Sequence, residues 1–420
     1  MMIHHSGKDG EESITALAGE RSAPAPFFAS PSIDRKGEIA LYYGFTPIKA
    51  PHIEREDISR ARALQSAGER LAGAEERRCS IPLALEEKVA LIRLAAEIRG
   101  GNLQQPLMFY FERSALLPRS ARSRRGHECS VSLEIIGTGK SIAEALIIKA
   151  AYEILQASGH KNVSVEINSI GDRDSVARFS HDLLSYYRKN ISLLHAPCRQ
   201  NLKRDVFDLF ACENEKCRIM REDAPKALSY LSEDGRRHFT EVLEYLEALA
   251  LPYTINNFLV GDRAITTHTV FEMRVEGAAM PLCFGTRYNA LPKRLGVKRD
   301  LPSIGATLVF EPQGKRADET KRVRVREPKL YFIQLGFEAK LQSLKIIELL
   351  RHAKIPVMQS LSRDQLTVQL AAAEKFKIPY TIIVGQKEAM EKSAIVRNMR
   401  TRSQDTVRLT ELPEYLRRIM

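Results

Sequence analysis

Apolar and polar residues alternate along residues 267–275 (THTVFEMRV), the pattern of a half-buried strand. One face would carry Thr267, Thr269, Phe271, Met273 and Val275, and the other would carry His268, Val270, Glu272 and Arg274. Because successive strand residues point to opposite sides of a sheet, this pattern predicts a strand with one buried face in a mixed sheet.

Other periodic segments predict that helices and strands precede this strand. Helices are predicted over residues 34–43, 87–99 and 141–158, and strands over residues 44–51, 107–112, 131–137 and 163–167. Gly159 directly follows the third helix, a position where glycine commonly ends helices. Residues 1–30 are polar and lack the apolar core of a signal peptide, so we expect a disordered tail there.

The last fifth of the chain predicts a separate small α/β domain. Its apolar segments predict strands over residues 330–335, 355–359, 380–384 and 394–398, with helices over residues 338–352 and 363–376. Residues 315–328 are polar and predict a linker in front of this domain.

Composition limits the functions that need consideration. The chain has 420 residues, 44% of them hydrophobic and 28% charged, which is ordinary for two or three globular domains. No apolar run reaches the roughly 18 residues needed to cross a bilayer, so we expect a cytoplasmic protein without a membrane partner.

The net charge is +12, and residues 329–420 hold sixteen basic against nine acidic residues. This excess favours a phosphate-bearing partner such as RNA.

The cysteines allow two interpretations. The spacing of Cys212 and Cys217 could hold a metal ion, with Cys198 as a third ligand. A second close cysteine pair is missing, so we interpret these residues as reduced thiols and assign no metal ligand from the sequence.

Several segments resemble histidyl-tRNA synthetases, a family of class II aminoacyl-tRNA synthetases. The resemblance rests on Leu259-Val260 followed by residues 267–272 (THTVFE), on residues 166–172 (EINSIGD), and on the order of residues in 212–249. It implies a class II core over residues 31–171 and 251–314, built on an antiparallel sheet flanked by helices. It also implies a helical insertion over residues 172–250, an anticodon-binding-like α/β domain over residues 329–420, and a homodimer that binds tRNA.

Within this resemblance, the residues that carry the family's chemistry are replaced. The family's catalytic arginine falls on Gly261, its aspartate on Ala264, and its two pocket tyrosines on Ile265 and Thr266. These replacements suggest that the scaffold strand is kept while the chemistry beside it is lost.

The two other arginines expected to contact ATP are also replaced. Counted without gaps, the arginine of the second class II motif falls on Leu116, and the ATP-stacking arginine of the third motif falls on Pro312. Arg113 and Arg263 remain as substitutes. Arg113 lies three positions from Leu116, and an odd shift along a strand would turn its side chain to the opposite face.

The resemblance leaves a short set of candidate site residues. These are Glu134 and Thr269 for the amino-acid pocket, Glu311 and Arg287 for the nucleotide, and Arg122, Arg124 and Arg125 for tRNA. The three loop arginines fit a solvated loop equally well.

The sequence therefore predicts a tRNA-binding homodimer of histidyl-tRNA synthetase type whose histidine activation is impaired or lost. ATP and Mg²⁺ would be its cofactors only if activation persists. Three alternatives remain: an active but divergent histidine–tRNA ligase, an enzyme of changed substrate that uses Glu134 and residues 261–266, and a regulatory subunit akin to that of ATP phosphoribosyltransferase.

Overall fold

The structure, a computed structural model, describes residues 32–69, 85–98, 106–116, 127–202, 205–278, 280–310, 323–324, 328–359 and 365–420. The strands are β1 Ser32–Ile33, β2 Thr46–Pro47, β3 Leu107–Leu116, β4 His127–Ile136, β5 Val163–Ser169, β6 Tyr253–Ile255, β7 Thr267–Val275, β8 Cys283–Arg287, β9 Ser303–Phe310, β10 Val323–Arg324, β11 Leu330–Gln334, β12 Val357–Gln359, β13 Tyr380–Val384, β14 Ser393–Asn398 and β15 Gln404–Arg408.

The α-helices are α1 Arg35–Tyr42, α2 Arg55–Glu69, α3 Leu85–Ile98, α4 Ile142–Ala157, α5 Arg173–Lys189, α6 Ala196–Asn201, α7 Glu215–Glu222, α8 Glu233–Ala248, α9 Ala290–Arg294, α10 Phe337–His352, α11 Leu366–Lys375, α12 Gln386–Glu391 and α13 Leu412–Ile419. Three short 3₁₀ helices cover Ile191–Leu193, Val206–Ala211 and Ala227–Tyr230. Among the helices that the structure describes, none combines the length and apolar character required to cross a lipid bilayer.

Eight strands form one large sheet in the order β2-β3-β4-β9-β8-β7-β5-β6. The pairs β2–β3 and β5–β6, at the two edges, are parallel, and every other neighbouring pair in this sheet is antiparallel. The predicted sheet with flanking helices is therefore confirmed. The predicted strand over residues 44–51 is much shorter than expected, because only Thr46 and Pro47 pair with β3.

Each face of the large sheet is covered by helices. Helix α4 packs on one face and is buried on almost every side, as expected of a helix that is apolar nearly all round. Helix α3 covers the other face, where Leu91 and Ile92 pack with Phe109, Phe111 and other apolar side chains. Two separate apolar clusters thus hold the sheet from both sides.

The segment between β5 and β6 forms the helical insertion and has a core of its own. Helices α5 to α7 and the 3₁₀ helices Val206–Ala211 and Ala227–Tyr230 surround buried aromatic rings, including Phe179, Tyr187, Phe207 and Phe210. The ring centroids of Phe179 and Phe207 lie 5.4 Å apart. Among the described residues no strand contributes to this core, which helices and the loop residues Phe258 and Val260 enclose.

The last domain is a five-stranded sheet in the order β12-β11-β13-β14-β15. Its first three strands are parallel, and β14 and β15 join antiparallel. The domain docks on α4, where Lys149 Nζ lies 3.0 Å from Glu348 Oε1 and Arg351 lies 2.7 Å from Glu153. Leu344, Ile347 and Leu350 of α10 extend the apolar cluster of the large sheet into this domain.

The segment predicted as a linker contains one ordered pairing. Strand β10 lies within residues 315–328 and pairs with β1, with Ser32 opposite Arg324. The tail predicted over residues 1–30 lies outside the described residues.

Candidate active site

A row of polar side chains crosses the sheet face that α3 covers. In the strand register, Arg113 lies opposite Ser130, Ser132 lies opposite Thr307, and Glu134 lies opposite Gly305. Residues paired across neighbouring strands share a face. Arg113, Ser130, Ser132, Glu134 and Thr307 therefore form one surface, here called the polar face.

Glu134 lies at the inner end of the polar face and is fully buried. Its carboxylate accepts hydrogen bonds from Lys88 Nζ at 2.7 Å and from the Tyr288 hydroxyl at 2.5 Å. The same ammonium group lies 4.3 Å from the centre of the Tyr288 ring. Burial raises the pKa of Glu134, while the charge of Lys88 acts in the opposite direction. The carboxylate is thus held by two groups of its own chain.

Gly305 is the residue that makes room for this arrangement. A Cβ atom at position 305 would overlap the Glu134 carboxylate. A side chain at position 305 would therefore force the Glu134 carboxylate away from Lys88 and Tyr288.

Arg113 lies at the outer end of the polar face and is half-buried. Its guanidinium contacts Glu87 Oε1 from Nε at 2.6 Å and from a terminal nitrogen at 2.5 Å. It also donates to the Pro51 carbonyl oxygen at 3.2 Å. Burial raises the pKa of Glu87, and the Arg113 charge works against that rise.

Arg113 and Leu116 lie three positions apart on β3 and so belong to opposite faces of the sheet, as their odd spacing predicts. The register of β3 and β4 places Arg113 on the same face as Glu134, with Leu116 opposite His127 farther along the hairpin. It is therefore Arg113, not Leu116, whose position shares a face with Glu134, and a count along the sequence alone does not establish this register.

A second buried carboxylate, that of Glu144 on α4, lies behind β7 and β8. Arg287 reaches both of its oxygens, with Nε to Oε1 and a terminal nitrogen to Oε2 at 2.5 Å each. His238 Nε2 lies 2.7 Å from Oε1, and Thr269 donates to Oε1 at 3.2 Å. Despite burial, the charges of Arg287 and His238 hold the pKa of Glu144 far below its usual range. Arg287 and Thr269 therefore use their polar side chains to bind the buried Glu144 carboxylate.

The loop before β7 packs beside Tyr288. Ala264 and Ile265 are buried in one apolar cluster with Tyr288 and Leu291. Gly261 has a φ of +65°, and a Cβ atom there would lie 2.5 Å from Thr266 Oγ1. Apolar side chains thus occupy the space beside the Tyr288–Glu134 pair.

Arg263 points away from the polar face and toward the insertion. It lies 3.2 Å from Asp205 Oδ1, and its guanidinium carbon lies 3.9 Å from the centre of the Phe207 ring. Burial lowers the pKa of Arg263, and Asp205 opposes that shift. Arg113, Arg263 and Arg287 consequently pair with three different carboxylates on three different elements.

The β7 strand departs from simple alternation at one residue. The pairing with β8 shifts between Thr267 and Val270, and His268 adopts a φ of +52°. The His268 amide donates to the Gly171 carbonyl oxygen at 2.7 Å, which ties the bulge to the turn after β5. Thr269 and Val270 are therefore both buried, whereas the pattern predicted only one buried face.

Comparison with known proteins decides the family. Residues 329–419 match the family model described as "Anticodon binding domain". The chain is 30% identical over 357 residues to the histidine–tRNA ligase of Halothermothrix orenii, covering 81% of this chain and 82% of the relative. It is 31% identical over 306 residues to that of Aquifex aeolicus, covering 73% of each chain. The chain belongs to the histidine–tRNA ligase family.

A solved structure from this family spans nearly the same length. The apo histidyl-tRNA synthetase of S. aureus is 24% identical and superposes with a TM-score of 0.47, covering 90% of this chain and 93% of the other.

Several residues predicted from the family resemblance cannot be placed. Glu311 and Pro312 follow β9 and lie outside the described residues, as do the loop arginines Arg122, Arg124 and Arg125.

The sequence reasoning missed the partners that hold the two buried acids. Lys88, Tyr288 and His238 were not singled out, although Lys88 carried a detectable signal. It lies on the buried face of α3, because Leu91, Ile92 and Ala95 follow it at helical spacings of three, four and seven residues and are buried. A lysine at such a position needs an acidic partner, since an unpaired buried charge is strongly unfavourable.

Proposed function

We propose that the protein is a tRNA-binding member of the histidine–tRNA ligase family whose histidine activation is impaired or lost. The observation that carries this proposal is that each candidate active-site arginine within the described residues pairs with a carboxylate of the chain itself. Arg113 binds Glu87, Arg263 binds Asp205, and Arg287 binds Glu144.

Activation of an amino acid by ATP develops negative charge at the α-phosphate, and placed cations are usually the largest source of rate enhancement. For Arg287 to contact a nucleotide, it would have to leave Glu144, which is fully buried. Leaving one partner of a buried ion pair alone costs about 3–5 kcal/mol. This argues against Arg287 as a nucleotide ligand and against productive use of ATP and Mg²⁺.

The amino-acid pocket supports the same conclusion. Glu134 is neutralised by Lys88, and Ala264 and Ile265 pack into the cluster around Tyr288. The family resemblance puts an aspartate at position 264 and a tyrosine at position 265. An imidazole ligand would have to displace the Lys88 ammonium group to reach the Glu134 carboxylate.

Binding of tRNA is the function that we expect to persist, in a homodimer. The anticodon-binding match and the basic excess of residues 329–420 support it. Arg400 and Arg402 are exposed at the turn between β14 and β15, where they can meet phosphates.

The names of the relatives favour one competing function, that of an active but divergent histidine–tRNA ligase. ATP–pyrophosphate exchange with each of the twenty amino acids, combined with filter binding of tRNA at several salt concentrations, separates the two. We expect no exchange and salt-sensitive tRNA retention. Histidine-dependent exchange would establish the ligase, exchange with another amino acid would establish a changed substrate, and failure to retain tRNA would refute the binding role. Light scattering of the purified chain tests the homodimer.

A further inference from the structure

Three potential metal ligands converge in the helical insertion, with the Cys217 thiol beside them, far along the chain from the residues of the polar face. The ligand atoms of His195, Cys198 and Cys212 all lie within 4.8 Å of one another. The thiol of Cys198 is within hydrogen-bond reach of both Cys212 and Cys217. The Cys217 sulfur in turn accepts a hydrogen bond from the His195 amide at 3.3 Å. The cluster therefore contains three sulfurs and one imidazole.

The local folds that present these residues are short and closely spaced. His195 immediately precedes α6 and Cys198 lies in its first turn, which gives a His-x₂-Cys pair. Cys212 ends the 3₁₀ helix Val206–Ala211, and Cys217 lies in the first turn of α7, which gives a Cys-x₄-Cys pair. Two close pairs of ligands separated by a longer segment are the usual arrangement of structural zinc sites.

A single buried cysteine is explained by packing of a free thiol in an apolar core. Packing alone does not explain why three cysteines and a histidine lie side by side. Cys198 and Cys217 are buried and Cys212 is half-buried, while His195 is exposed and closes the outer side of the cluster. A cation at the centre of the cluster would bind these groups as thiolates, since a metal-bound thiol loses its proton. The second close pair that the cysteine spacing lacks is supplied by His195 with Cys198.

We propose that His195, Cys198, Cys212 and Cys217 bind one Zn²⁺ ion in a structural site. Three sulfurs and one nitrogen form a standard tetrahedral zinc ligand set. On binding, the three thiols release three protons, so the occupied site has a net charge of −1. Of the exposed charged residues that adjoin the ligands in the chain, Arg199, Lys216 and Arg218 are basic and Glu213 is acidic, so their balance offsets that charge.

The zinc ion would tie together elements that are too short to be stable alone. Helix α6 has six residues and α7 has eight, and helices of that length are marginal in water without tertiary support. The ion would connect both to the 3₁₀ helix that carries Phe207 and Phe210 in the insertion core. This role does not depend on whether the protein activates histidine.

The decisive test is the metal content of the full-length protein purified with reductant, without chelator, from zinc-supplemented cells. Inductively coupled plasma mass spectrometry should find one zinc ion per chain. Cys198→Ser and Cys212→Ser should each lose it, whereas the controls Cys129→Ser on β4 and Cys283→Ala on β8 should keep it. His195→Cys should retain one zinc, and His195→Ala should bind zinc at least about 10-fold more weakly.

A second measurement avoids any dependence on folding of the variants. Wild-type protein stripped of metal and reduced should develop thiolate-to-cobalt charge-transfer bands and tetrahedral d–d bands on titration with Co²⁺, saturating at one ion per chain. Folded wild-type protein that contains no zinc and gives no such bands would overturn the proposal. So would zinc that remains in Cys198→Ser, or a disulfide between two of these cysteines in freshly isolated protein.

Discussion

Lys88 and Glu134 form an ion pair of 2.7 Å in which both side chains are buried, with exposed fractions of 4% and 0%. The lysine comes from a helix and the glutamate from the strand beneath it. The pair therefore joins α3 to the large sheet through two charges that are shielded from water.

Removing the lysine should leave Glu134 as an uncompensated buried charge. We expect Lys88→Met to lower the free energy of unfolding by about 3–5 kcal/mol, and the double variant Lys88→Met/Glu134→Gln to recover part of that loss. Urea denaturation followed by circular dichroism measures both. Arg60→Met, which removes an exposed pair with Glu56, should change stability by less than about 1 kcal/mol. A double variant as unstable as the single one would mean that Lys88 acts through packing.

The bulge residue His268 should make stability depend on pH. Burial lowers the pKa of His268, and the neighbouring His238 and Arg287 lower it further. The unfolded state then takes up a proton first as pH falls, so stability should decrease below about pH 6.5, by at most about 1.4 kcal/mol per pH unit.

His268→Asn should weaken that dependence, because asparagine tolerates a positive φ and does not titrate. Thermal unfolding between pH 5.5 and 7.5 measures the effect. The matched control His181→Asn removes an exposed histidine and should leave the wild-type dependence in place. Identical pH profiles for wild type and His268→Asn would contradict the prediction.

Position 261 should resist any side chain. Gly261→Ala combines a positive φ with a close approach to Thr266, and we expect it to destabilise the protein by about 1–3 kcal/mol. Gly277→Ala is the matched control, since Gly277 has a φ of +82° and a Cβ atom added there would meet nothing within 4 Å. Its loss should be smaller, and the difference in denaturation midpoint isolates the effect of crowding. Equal losses would show that backbone conformation alone accounts for the glycine.

If the last domain binds tRNA through the β14–β15 turn, Arg400 and Arg402 should contribute phosphate contacts. The double variant Arg400→Ser/Arg402→Ser should weaken tRNA binding and reduce the slope of log K against log salt by about 1–2. Filter binding between low and moderate salt gives the slope. Arg60→Ser, an exposed arginine of α2, serves as the control. An unchanged slope in the double variant would place the RNA contacts elsewhere.

The local pattern of apolar and polar residues was sufficient to predict most of the helices and strands. Alternation identified β7, and the apolar stripe of residues 87–99 identified α3, because both patterns report which face of an element is buried. The βαβ spacing likewise predicted α10, α11 and strands β11 to β14 of the last domain, but not β15. It did not show that β14 and β15 pair antiparallel, because strand order depends on contacts between distant segments.

The candidate site was less predictable for the same reason. The face to which Arg113 points depends on the β3–β4 register, and the conformation of His268 depends on hydrogen bonds to the Ile170–Gly171 turn. The partners of Glu134 come from positions 46 residues earlier and 154 residues later in the chain. Such pairings are set by the tertiary structure, and a single sequence carries little direct signal of them.

The docking of the last domain on α4 bears on why the chain keeps it. Its helix α10 shares one apolar cluster with the large sheet and supplies Glu348 and Arg351 to α4. A shortened chain ending before β11 would expose that apolar surface to water and invite aggregation. The domain would therefore be needed to keep the protein folded and in solution even if it no longer bound tRNA. Its presence alone does not indicate a function in translation.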